Sequence, residues 1–276
     1  MRVIQKIAKK TTDLAIQSAA LAALKPDLLI VFGSIDHFSA PDFASTLRTA
    51  LPGAAMIGCT TAGEITPDGV DDGTCTLTGI SFDATRLTQA NTHLSGMDDS
   101  FAAGERLGRQ LANAELKTVL VFGPGVQING SALVDGITSI IGSSIPITGG
   151  LAGDGGAFKQ TFTLGPDGVC DNAIVAVGLC GAALRFGHGS FGGWEPFGPA
   201  RKVTRCANNV LFELDGEPAL EVYKRYLGDH AKGLPASGLL FPFAMLGEDH
   251  SAIGLIRTIL GVDEASGSLT LAGEID

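Results

Sequence analysis

AAMIGCTTAGEI, residues 54–65, and SIPITGGLAGDGG, residues 144–156, are two versions of one device: an apolar strand running into a glycine-rich turn that closes on Ala-Gly-acid. Val31-Phe32-Gly33 recurs ninety residues on as Val121-Phe122-Gly123, and Ala62-Gly63-Glu64 recurs at the same spacing as Ala152-Gly153-Asp154. One offset that aligns two separated motifs implies an internal duplication. The expected fold is α/β, with a duplicated amino-terminal domain built on mixed sheets. It comprises two βαβ-plus-antiparallel-strand units, about residues 27–95 and 117–190, whose paired loops surround one cleft.

Working outward, Leu28 to Phe32 is an unbroken apolar run ended by Gly33, the pattern of a strand buried on both faces. An alanine-rich helix is expected over 12–24 with Ile16, Ala20, Ala23 and Leu24 inward, and a short one over 41–50. Residues 74–82 and 86–94 alternate as two strands that would pair across Asp83-Ala84. Helices over 98–114, with Glu105 and Arg109 spaced for an ion pair, and over 130–141 follow, then strands at 161–164, 173–179 and 183–188. The Gly/Pro-rich stretch 187–199 marks a boundary, giving a first domain over 1–197 and a smaller α+β domain over 198–276. The second domain holds a helix over 217–227, capped by Asp215, and ends on strands, which reads as a trimmed sheet or one completed by a partner.

With 45% hydrophobic and 17% charged residues in 276, the chain is globular, and its net charge of −10 argues against nucleic acid and anionic membranes as partners. The five cysteines, an odd set without a C-x-x-C pair, exclude a disulfide or zinc framework. The first residues carry no apolar leader and no run is long enough for a membrane helix, so a cytoplasmic protein is expected.

VFGS, IGCTTAGEI, GGLAGDG, FGPARKVTR and FELDGEPALEVYKRYLG together resemble the FIST family, over nearly the whole chain. Residues 1–197 are similar to the FIST amino-terminal domain and 198–276 to a shortened carboxy-terminal domain. The resemblance implies a bacterial, intracellular sensory module that binds a small ligand, an amino acid or derivative among them. It would relay this to a signalling partner such as a kinase or cyclase. A subset of the family binds haem and responds to nitric oxide, which makes haem the one cofactor to consider. No catalytic residues are implied.

The residues themselves point to binding without turnover. Exposed amides at the carboxyl ends of parallel strands hold anionic groups, so Ser34, Cys59, Thr60, Thr61, Glu64, Gly149, Gly150 and Asp154 are the ligand-binding candidates. Glu64 and Asp154, at matched positions, would meet an ammonium if both loops face one cleft. The competing reading gives both acids to backbone capping. Cys59 beyond its strand, with Asp36-His37 nearby, leaves a thiol-dependent hydrolase or transferase as an alternative. Haem would need an axial ligand in an apolar pocket. Of the five histidines, including His250, His188 between Phe186, Phe191 and Trp194 is the candidate. No metal site suggests itself, and a homo-oligomer is left open.

Overall fold

The computed structural model describes residues 1–189, 193–247 and 252–275. Phe191, part of the 187–199 boundary stretch, and His250 lie outside the described residues. The chain divides into two compact units, Met1–Ile128 with Ala132–Gly187, and Asn129–Ser131 with His188–Asp276.

In the first unit the elements run β1 (Arg2–Ala8), α1 (Leu14–Ala19), β2 (Leu28–Gly33), α2 (Ile35–Phe38), α3 (Phe43–Ala50), β3 (Ala55–Thr60), β4 (Glu64–Thr66), β5 (Gly69–Asp71) and β6 (Cys75–Ser81). They continue with β7 (Arg86–His93), α4 (Ser100–Leu111), β8 (Leu116–Gly123), α5 (Gly130–Ile141), β9 (Ile147–Leu151), β10 (Thr163–Gly165), β11 (Gly168–Cys170) and β12 (Ala173–Cys180). Two mixed sheets result, ordered β1-β6-β2-β3-β10-β11 and β7-β12-β8-β9.

Side-chain alternation explains the layering. On β2, Leu29 and Val31 pack with Leu14 of α1 and Phe43 and Leu47 of α3, while Leu28 faces the other way. On β8, Val119 and Val121 pack with Leu107 of α4 and Ile137 of α5, while Phe122 faces the opposite side. Leu28, Ile57, Phe122, Val175 and Val177 then form the core between the sheets, so helices lie outside and the sheets meet face to face. Strands apolar on both faces need this four-layer arrangement.

The order of strands is the same in both sheets: the first strand, then the fourth, the second and the third. β6 runs antiparallel to β2, and β3 parallel to it; β12 and β9 stand likewise beside β8. Val31 lies opposite Gly58, and Val121 opposite Gly149. Gly33 accepts from Thr61 N at 3.0 Å, and Gly123 from Ala152 N at 2.9 Å.

Several expectations are corrected. β6 and β7 do not pair with one another; β6 lies between β1 and β2 in the first sheet, and β7 is the edge strand beside β12 in the second. Each four-strand set therefore starts earlier than residue 27 or 117, at β1 and β7. Leu24 is buried as expected, but Ile16 is 71% exposed and Ala20 and Ala23 face solvent, and Leu14, Ser18 and Leu21 make up the rest of the buried face. That stretch is broken at Ala20–Leu21. Residues 183–188 form no strand. Glu105 and Arg109 do pair, at 3.2 Å.

In the second unit, β13 (Val203–Ala207), β14 (Val210–Leu214), β15 (Glu217–Pro218), α6 (Ala219–Leu227), β16 (Phe243–Leu246), β17 (Ala252–Arg257), β18 (Ile259–Asp263) and β19 (Ser268–Leu271) surround a core of Leu214, Leu220, Tyr223, Ile259 and Leu269. Asp215 does not cap α6; its carboxylate accepts from Lys202 N at 2.9 Å and pairs with Arg201.

Candidate functional site

The two glycine turns meet. Gly153 N donates to Thr60 O at 2.8 Å, so the turn after β9 rests on the turn after β3. Close backbone packing needs glycine at one point in each: a Cβ on Gly58 would stand 2.1 Å from the Val31 carbonyl oxygen, and one on Gly149 1.7 Å from that of Val121.

Beyond the strands the two halves part. Both continue into a hairpin with the same turn, Pro67-Asp68-Gly69-Val70 between β4 and β5 and Pro166-Asp167-Gly168-Val169 between β10 and β11. Glu64 faces Asp71 at the open end of the first hairpin, and Thr163 faces Cys170 at that of the second. By hairpin position Glu64 therefore corresponds to Thr163, and the nine residues Asp154–Phe162 are extra in the second half. The ninety-residue match of Glu64 to Asp154 is not a match of place.

The extra length has a structural result. At ~3.3–3.6 Å per residue, the four steps from Thr60 to Glu64 reach about 14 Å, and the twelve from Leu151 to Thr163 about 40 Å. The second hairpin crosses to β3 and adds to the first sheet, Leu164 opposite Gly58 and Thr163 opposite Cys59. The first hairpin stays a separate pair of strands. Among the described residues β9 therefore has a neighbour only on its β8 side, and Gly149 and Gly150 are exposed.

Both acids are engaged within the fold, Glu64 by two threonine hydroxyls and one amide and Asp154 by amides alone. Glu64, 1% exposed, accepts from Thr61 Oγ1 at 2.6 Å, Thr74 N at 3.0 Å and Thr74 Oγ1 at 2.8 Å. Asp154 accepts from the amides of Phe158 at 3.1 Å, Lys159 at 2.8 Å and Gln160 at 3.4 Å, folding the insertion back on itself. Thr60 is buried, its Oγ1 accepting from Phe162 N at 3.0 Å. Ser34 N donates to Thr74 O at 2.9 Å and its hydroxyl meets His37 Nδ1 at 3.0 Å. Glu64, Thr74, Ser34 and His37 thus form one continuous polar chain, in which Thr74 is the member that sequence reasoning missed. The repeated Pro-Asp-Gly-Val was the signal that could have placed the hairpins.

Cys59 is 3% exposed and burial pushes its thiol up to about 12. A buried thiol raised in this way holds its proton at neutral pH, which counts against the thiol-dependent reading. Cys75 is raised further, first by burial and then by the nearby Glu64 charge. His188 is exposed, as are Phe186 and Trp194. Phe191, the third aromatic of that candidate, lies outside the described residues. No group of three or more His, Cys, Asp or Glu suited to a metal ion occurs among the described residues. No described helix is long and apolar enough to cross a membrane.

A stretch of 93 residues is 36% identical to the uncharacterized protein MJ1623 of Methanocaldococcus jannaschii, covering 32% of this chain and 17% of that protein's length. The FIST N domain matches residues 27–217 and the FIST C domain residues 219–276. FIST domains are sensor domains associated with signalling. With both domains matched in order over most of its length, the chain belongs to the FIST family.

Proposed function

We propose that this chain is an intracellular, cytoplasmic sensory module that binds one small ligand without turnover and relays its presence to a signalling partner such as a kinase or cyclase. The first unit arose by duplication of a β-α-β-α-β-hairpin-β segment, a reading supported by the common strand order, the matched registers and the repeated hairpin turn.

The observation that carries the proposal is the open edge of β9 at Gly149 and Gly150, beside a turn braced on its counterpart. In the first half the equivalent edge, at β3, is covered by β10. The uncovered edge presents backbone donors and acceptors with no side chain in front of them: a Cβ on Gly150 would have nothing within 4 Å. Such an edge recognises a ligand that itself carries main-chain groups, so an amino acid derivative or dipeptide is the favoured class. Thr61 lies at the start of the adjoining turn.

The test is a thermal-shift screen of free amino acids, dipeptides and nitrogen metabolites, since a ligand selective for the folded state raises its melting temperature. A hit that Gly150→Val abolishes, with the ligand-free melting temperature unchanged, supports the site. A hit indifferent to Gly150→Val places binding elsewhere and defeats the proposal.

A further inference from the structure

We propose that β1 is a docking edge for a second copy of this chain, the two strands pairing antiparallel about a twofold axis at Gln5 so that two sheets become one. β1 stands at the end of the first sheet, paired on one side to β6 from Arg2 opposite Ser81 to Ala8 opposite Cys75, without a bulge. Its other side meets no strand, and among the described residues no side chain hydrogen bonds to the backbone of Arg2–Ala8.

The other edges of this unit are treated differently. β7, the long edge of the second sheet, is closed by side chains of α4. Gln110 accepts from Asn91 N at 3.4 Å and donates to Asn91 O at 3.0 Å, and Arg106 donates to His93 O at 2.9 Å. β11 is three residues long, and β9 is five with two glycines. β1 has seven residues and no proline, and carries Val3, 51% exposed, on one face and Ile4, 38% exposed, on the other. Folded proteins guard such an edge unless it pairs with another chain.

The residues of β1 suit a second copy and fix its register. Residues opposite one another in an antiparallel pair point their backbone groups alike, so their numbers sum to an even value and the axis falls on a residue. An axis at Lys6 would oppose that residue to itself, one at Ile4 would set Arg2 against Lys6, and one at Val3 would pair only the first part of the strand. An axis at Gln5 pairs all of Arg2–Ala8 and opposes no like charges. Val3 then meets Ile7, Ile4 meets the stem of Lys6, and Arg2 meets Ala8. The Gln5 amide, held within its own chain only by bonds of 3.4 and 3.5 Å, meets its twin. The strands would exchange about six to eight backbone hydrogen bonds. One strand pair is a small interface, so the association is reversible and depends on concentration.

The experiment is sedimentation equilibrium of the full chain over a range of concentrations. A monomer–dimer equilibrium is expected, and added salt should strengthen it, because each chain carries a net charge of −10. Ile4→Glu, which faces Lys6 of the second copy, should tighten the dimer about threefold or more, and Ile4→Lys should loosen it about tenfold. Gln5→Cys should link to its counterpart on mild oxidation, above the background that the wild-type thiols set, and Val3→Cys should not. A single-chain mass at every concentration, an equal response to the two Ile4 substitutions, or linking of Val3→Cys as fast as Gln5→Cys would each overturn the proposal. So would a dimer lost in Gly150→Val, which would put the contact at β9.

Discussion

Phe32 and Phe122, the central residues of the two Val-Phe-Gly strand ends, meet edge to face with ring centroids 5.2 Å apart and planes at 76°. The same residue of each half thus touches its counterpart across the core between the sheets. Phe122 is 4% exposed, so Phe122→Ala should cost about 3–5 kcal/mol in urea unfolding. The half-buried Phe32 should cost less when truncated. A double-mutant cycle should return a coupling of about 1 kcal/mol, and additive costs would show that the rings merely share a layer.

Neighbouring glycines on β9 should behave oppositely. Gly149→Ala forces a Cβ against the Val121 carbonyl at a φ of +151°, and Gly150→Ala meets empty space. The first substitution should lower stability by roughly 3 kcal/mol or more and the second by under about 1 kcal/mol. Chemical denaturation of the two variants side by side decides it.

Glu64 should be worth more to folding than to ligand recognition. Glu64→Ala leaves Thr74 N and two threonine hydroxyls short of their acceptor in a buried place, a loss of about 2–4 kcal/mol. Unchanged stability in denaturant would release this carboxylate for another role.

Thiol labelling should divide the cysteines by burial. Cys170 and Cys206 are half-buried, whereas Cys59, Cys75 and Cys180 are buried. At pH 8 a chromogenic disulfide reagent should titrate the first two in the native protein and all five after unfolding. Rapid native labelling of Cys59 would contradict its raised proton affinity.

Acid should weaken the start of α4. Hydrogen bonds from Arg106, at 2.7 and 2.9 Å, hold Asp99 down at about 2. A lowered carboxylate stabilises the fold fully above its unfolded value of ~3.9 and loses that contribution as pH falls through about 2. Discounted for the partial exposure of the pair, the effect is about 1 kcal/mol. The stability gap between wild type and Asp99→Asn should be constant from pH 5 to 7 and shrink below pH 4; a gap that does not shrink would remove the ion pair as its cause.

Much of this was legible from residues alone. Val31-Phe32-Gly33 and Val121-Phe122-Gly123 marked the two central strands, and the helix over 130–141 has the expected ends. What escaped depends on long-range partners. Nothing local in Arg2–Ala8 announces a strand, because its pairing with Cys75–Ser81 lies more than sixty residues away. The acids looked alike because both follow Ala-Gly, yet one is buried between threonines and the other ties down a nine-residue insertion.

The insertion Asp154–Phe162 has a consequence for counting. A perfectly symmetric pair of halves would offer two equivalent places for a guest, and saturation would then report two molecules per chain. Because the longer arm covers the β3 edge with its own hairpin, the proposed reading has one place left, and a titration with its ligand should follow a simple hyperbola that ends at one guest per polypeptide.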